Sequence, residues 1–291
     1  MFDFRYHALS LAAVLLSLCI GLLLGVAIGD RGLASGARDD LRDDLRSEVE
    51  QARDETRDLR DQLERRDDFE EETLPLLVGG RLESRRVAMV LLGEPDSDTF
   101  ENVRDVVTQA GGDVTSVSRL RLPIAAERLA ADAAGTRYTE LATQPDLLEP
   151  FGRRIGEQIV NGGRFVRQVR GSLFASSSGS LGGAEAIVFA READADADAD
   201  ADEIERTNAF VDAMIAGARQ YETPIVGVEL TDTDPSQVDW YEDRGIASVD
   251  SVDLPSGRAA LVFALVGAAD GAYGIKSSSD ALLPEAVTRQ P

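Results

Sequence analysis

The sequence predicts a membrane-anchored α/β protein: an N-terminal transmembrane helix, a coiled-coil stalk, and a Rossmann-like, doubly wound, mostly parallel sheet. Three observations predict it. Residues 8–28 form an uncharged apolar run. Residues 38–74 are densely charged, with apolar side chains at heptad spacing. From residue 81 onward, short apolar runs alternate with helical patterns, as in parallel-sheet proteins. The expected boundaries are 1–30 for the anchor, 31–80 for the stalk, 81–275 for the α/β domain and 276–291 for a flexible tail.

The anchor follows from length. A helix rises about 1.5 Å per residue, so roughly 20 apolar residues cross a hydrocarbon core. A cleavable signal peptide would have a shorter apolar region and a more basic front. Gly21, Gly25 and Gly29 recur every fourth residue on one helix face. Small residues at this spacing let two membrane helices approach closely, although glycine is also common in membrane helices generally.

A glycine-containing joint is expected at 29–37, before the stalk. There Leu45, Val49, Ala52, Thr56, Leu59 and Leu63 alternate steps of four and three, the core spacing of a coiled coil. Ala52 and Thr56 make that core weak, and a solvated single helix is the alternative. A glycine-striped span feeding into heptads would hold two copies parallel, so a parallel homo-oligomer is expected.

Residues 74–80, with Pro75, Gly79 and Gly80, end this helix. Residues 87–92 form a continuous apolar run, the mark of a buried strand. A turn at 93–98 precedes a helix, with Ser97 or Asp98 expected as its cap. Phe100, Val103, Val106, Val107 and Ala110 share one helical face, and Gly111 and Gly112 stop it. Residues 113–120 alternate as a second strand, completing a β-α-β unit. Further helices are expected at 125–134, 147–161, 203–219 and 258–266, and further strands at 184–189, 224–230 and 248–252. The tail from 274 onward reads as loose.

Composition narrows the chemistry. The 291 residues carry 53 acidic and 30 basic side chains, a net charge of −23. Lys276 is the only lysine. Such a surface repels itself at low ionic strength and points to adaptation to high salt. It also repels phosphates, which argues against a nucleic-acid partner. The alternating Ala-Asp run at 193–202 lacks the glycine and the bidentate glutamate of a calcium loop, and reads as a solvated insert. The Gly/Ser-rich stretch at 171–180 matches no phosphate loop or nucleophile elbow and reads as a flexible loop. Gly93 follows the first strand without a dinucleotide fingerprint. The single histidine, His7, lies at the edge of the apolar span, so no triad or histidine base is available beyond it. An enzyme is not expected, and no cofactor is. For copper, which favours sulfur and imidazole, the weak candidates are His7 and Cys19, about 18 Å apart along one helix; only rings of copies could join them to one ion.

Residues 4–25, FRYHALSLAAVLLSLCIGLLLG, resemble the start of the mycobacterial copper transport protein MctB family. Residues 252–265, 271–276 and 280–284 (VDLPSGRAALVFAL, GAYGIK, DALLP) are similar to that family as well, in the same order of segments. The resemblance implies a single-span membrane protein with its α/β domain outside the cytoplasm. It implies a role in copper efflux and tolerance, through a proposed channel in the mycobacterial outer membrane. Related actinobacterial members look like partners of envelope and division machinery. No functional residue carries over, because the matching blocks are anchor and packing segments.

Two functions follow. The resemblance implies a membrane-anchored copper transport or efflux protein, with copper as the transported ion. The residues alone favour a non-enzymatic envelope scaffold that binds a protein partner through its α/β domain. The expected partners are membrane lipid, a second copy and an envelope protein.

Overall fold

A computed structural model describes residues 4–197, 199–267 and 270–284, with side chains described outside 4–5 and 30–40. The chain divides into two compact units, residues 1–66 and 67–291.

The first unit is helical. Helix α1 (Phe4–Val78) begins here, and its backbone stays helical through 29–37, so the expected joint is corrected. Helix i→i−4 bonding satisfies the backbone there despite Gly29, Gly32 and Gly36, whose cost is only about 1 kcal/mol each against alanine. Residues Tyr6–Gly29 form a stretch long and apolar enough to cross a membrane, with mean hydropathy 2.8 and none of its most apolar window buried. In the single chain the heptad residues Leu45, Val49, Leu59 and Leu63 are all about half exposed (47–53%).

The second unit is a seven-stranded sheet covered by helices. The end of α1 belongs to it: Leu74 and Val78 are buried, and Gly79 donates its N–H to the Pro75 carbonyl as the helix closes. Strand β1 (Arg86–Leu92) leads to helix α2 (Ser97–Gln109) and strand β2 (Asp113–Leu120). The cap of α2 is Asp96 rather than Ser97 or Asp98. Its carboxylate accepts from the Asp98 N–H at 2.9 Å, while Ser97 and Asp98 already have helical backbone. Gly111 follows the end of α2 with φ +86°, a conformation that suits glycine.

The chain continues through α3 (Ala126–Asp132), α4 (Leu148–Asn161), α5 (Arg164–Gln168) and α6 (Arg170–Leu173) into strand β3 (Phe174–Gly179). That strand corrects the flexible loop expected at 171–180. It pairs antiparallel with β2, and its Ser177 hydroxyl lies 2.9 Å from that of Ser118. Backbone ladder bonds, rather than apolar side chains, hold this edge. Then follow β4 (Ala186–Arg191), α7 (Ala201–Arg219), β5 (Ile225–Val228), α8 (Val238–Glu242), β6 (Ala247–Val249), α9 (Pro255–Val266) and β7 (Ala272–Tyr273). Helix α9 starts earlier than expected because Pro255 suits the first helical turn.

The sheet order is β3-β2-β1-β4-β5-β6-β7, parallel except for β3. Alternate side chains of β1 serve opposite faces. Ala88, Val90 and Leu92 join a core with Phe151, Ile155 and Phe210 of α4 and α7. Val87 and Met89 join a second core with Val103 and Val107 of α2 and Leu261 of α9. Each fully buried aliphatic or aromatic side chain contributes about 1.5–3 kcal/mol, so these two layers hold the sheet.

The tail expected to be flexible at 276–291 is ordered over 276–284. The Ile275 and Lys276 N–H groups donate to Asp250 at 2.9 and 2.8 Å, and the Ala272 N–H donates to Asp280 at 3.0 Å. Buried Asp250 is satisfied by these donors, which tie the segment to the sheet. Residues 285–291 lie outside the described residues.

Candidate functional site

The chain leaves β1 toward β2 and β3, then returns to place β4 on the other side of β1. Such a reversal opens a crevice at the carboxyl ends of the strands, where parallel sheets usually bind ligands. Here the crevice is lined by Glu94, Asp96, Arg191, Glu192, Glu229 and Asp232, and encloses about 190 Å³.

Its own side chains fill it. The Glu192 carboxylate accepts from the Glu94 N–H at 2.8 Å. Gly93, with φ +80°, leaves the space that this carboxylate occupies; a Cβ there would strike it. Asp96 occupies the amino end of α2. In a nucleotide-binding sheet, phosphate would sit at this helix end. Two carboxylates stand there instead, and like charge repels phosphate. A cavity of this size is also below the usual range for small-molecule sites, about 300–1,000 Å³.

Behind the crevice lies a buried polar network. Glu229 is 3% exposed and accepts from the Ser236 hydroxyl at 2.8 Å, the Gln237 N–H at 2.5 Å and the Lys276 ammonium at 2.6 Å. The ammonium also donates to the Thr233 carbonyl at 2.8 Å. The Arg191 guanidinium donates to Gln237 and Asp196 and lies 5.2 Å from the Trp240 ring centre. Arg244 sits 3.8 Å from the centre of the same ring and pairs with Asp212 at 2.8 Å. Burial lowers the Arg244 pKa, partly offset by Asp212. The Tyr241 hydroxyl accepts from the Arg191 N–H at 3.0 Å and faces the Val228 carbonyl at 3.2 Å; burial pushes its pKa well above the ordinary tyrosine value.

This network was not visible to sequence reasoning. The one signal for it was Lys276, the single lysine of an arginine-rich chain, in a stretch read as loose. The Ala-Asp run enters the network through Asp196, and Asp200 caps α7 in a reciprocal capping box with Glu203. No group of three or more His, Cys, Asp or Glu suited to a metal occurs among the described residues.

The residues expected to act lie in the first unit. His7 and Cys19 are both exposed on α1 and are not brought together within one chain. Gly21, Gly25 and Gly29 have no atom within 4 Å of where a Cβ would project, so their face is open. In the second unit the soft donors are Met89 and Met214. Both are buried, in opposite core layers.

The profile of the copper transport outer membrane protein family, MctB, matches residues 1–284. The chain belongs to the MctB family. The match includes the apolar span, the heptad segment and the whole described α/β unit. Membership implies a role in copper transport or homeostasis, and the family description points to an outer membrane. Among curated proteins the chain finds no match. The MctB sheet described here is open, with β3 and β7 as edges and helices on both faces. It is therefore not a closed membrane barrel, and among the described residues the apolar span in α1 is the one long and apolar enough to cross a membrane.

Proposed function

We propose that this MctB protein is a non-enzymatic, membrane-anchored subunit of a copper export assembly, with its α/β domain outside the cytoplasm. The family match over residues 1–284 carries the proposal. The α1 span anchors each copy, and self-association through its glycine face and heptads supplies the assembly. One apolar helix cannot line an aqueous path, so a path needs several copies. Within such an assembly, rings of His7 or Cys19 are the soft donors that meet the ion.

A second reading has its own support. The crevice filled by Glu192 and Asp96 and the burial of both methionines in the second unit favour an α/β domain that binds a protein rather than a small ligand or copper. In that reading the protein is an envelope scaffold.

Copper tolerance and cellular copper in a deletion strain separate the two. Copper sensitivity rescued by the wild-type gene, but not by a His7→Ala/Cys19→Ser gene, supports direct transport. Rescue by both genes removes the donor rings. Unchanged tolerance and copper content would overturn the transport reading and leave the scaffold.

A further inference from the structure

The heptad segment carries more than a core. With Val49, Thr56 and Leu63 at a positions, Leu45, Ala52 and Leu59 fall at d. The e positions are then Arg46, Arg53 and Arg60, and the g positions are Glu48, Glu55 and Gln62. Arg42 at a and Arg66 at d bound the apolar stretch. One flank of the seam is thus basic and the other is acidic or neutral.

From this we infer that the partner of α1 is a second copy of the chain, aligned parallel and in register, with Glu48 and Glu55 facing Arg53 and Arg60 of the partner subunit. The inference rests on the self-association proposed above and specifies its geometry. In a parallel pair, each g residue meets the e residue of the partner's next heptad. Glu48 then meets Arg53 of the partner subunit, and Glu55 meets Arg60 of the partner subunit. The two-fold axis repeats both pairs. In an antiparallel pair, g meets g and e meets e, setting glutamate against glutamate and arginine against arginine.

The structure leaves these groups free for that use. The side chains at 48, 53, 55 and 60 are exposed, and none makes an ion pair among the described residues. The intrachain pairs nearby leave these four residues out: Asp54 pairs with Arg57 at 2.5 Å, and Asp43 with the first e residue, Arg46, at 3.6 Å. Copy number follows from the core. Val49 at a flanked by Leu45 and Leu59 at d is the pattern that favours two strands. Because Ala52 contributes little core, the flanking charges decide orientation.

The test uses the full chain in mild detergent, where no bilayer forces copies to point the same way. In a Cys19→Ser background, Leu45→Cys and Leu63→Cys are each expected to cross-link to themselves. Cross-linking only when the two variants are mixed would mean an antiparallel pair and overturn the inference. Glu48→Arg/Glu55→Arg and Arg53→Glu/Arg60→Glu are each expected to weaken self-association about tenfold at about 0.1 M salt. Mixing them is expected to give mostly mixed dimers, and the effect should shrink above about 1 M salt, where screening reaches about 3 Å. Wild-type-like self-association of both variants, or a merely statistical mixture, would refute the charge pairing while the cross-links keep the self-association reading intact. A wild-type chain that stays monomeric in every condition would remove the self-association reading itself.

Discussion

Replacing Lys276 with methionine isolates what ties the C-terminal segment to the sheet. The Glu229 side chain is 1% exposed and that of Lys276 17%, with 2.6 Å between ammonium and carboxylate. Removing one member of a buried pair strands the other and costs roughly 3–5 kcal/mol. Glu229 keeps the Ser236 hydroxyl and the Gln237 N–H, and the lysine is not fully buried, so the lower end applies, about 3 kcal/mol. For a unit of this size that corresponds to a fall in Tm of about 6–12 °C. Trp240, the only tryptophan, lies in α8 close to Gln237 and reports unfolding of this unit by fluorescence. The stranded charge predicts a further result: adding Glu229→Gln to Lys276→Met recovers part of the loss, because no unpaired carboxylate then remains buried. A fall in Tm under about 2 °C, or a double variant that merely adds the two single losses, would refute the stranded-charge reasoning.

Tyr241→Phe removes a buried hydroxyl between the Arg191 N–H and two strand carbonyls and is expected to cost about 1–3 kcal/mol in urea unfolding. The Tyr241 pKa is raised in the folded state, so its stabilising effect is complete below the unfolded value of about 10 and is lost as pH rises above it. Alkaline unfolding scans of the wild type should therefore fall above about pH 10, and the phenylalanine variant should lose that component. Gly156→Ala drives a methyl into the Met214 carbonyl where α4 crosses α7, and should lower the Tm by several degrees, whereas Gly171→Ala, whose methyl would meet only the Asp132 carboxylate at 4.0 Å, should be close to neutral.

What could be read from the sequence was what periodicity encodes. β1, α2 and β2 stand where the apolar run, the single helical face and the alternation put them, because each buries a face of its own. β3 escaped because Ser176, Ser177 and Ser178 carry no apolar signal; an edge strand is specified by backbone bonds to β2 that no single-residue property records. The ordered segment at 274–284 escaped for a related reason. Its anchors are backbone N–H groups donating to Asp250, 25 and 26 residues upstream, a partnership visible only when β6 and β7 lie side by side. Gly152, Gly156 and Gly217 carry no sequence signal of their own, yet they set how closely α4 and α7 pack. On the site side, Gly21, Gly25, Gly29 and the heptad residues are found on one helix with open faces, while the Glu229–Lys276–Arg191 network had only the lone lysine to announce it.

The two units of this MctB chain spend their charge differently, and that bears on where a copper function can reside. In the second unit, carboxylates are turned inward to do structural work: Glu192 closes the crevice, Asp250 holds the C-terminal segment, and Glu229 binds the lysine. Each is already engaged by N–H or ammonium donors, so each would have to give up those bonds to take a cation. In the first unit, Glu48, Glu55, Arg53 and Arg60 stand exposed on either side of an open apolar seam. A second copy would engage them and would duplicate His7 and Cys19 on adjacent helices. Soft donors are thus few in one copy, and the proposed assembly would bring more of them together. Disrupting the Glu48/Glu55 flank should therefore impair copper tolerance as much as removing the donors themselves, if transport is what the assembly performs.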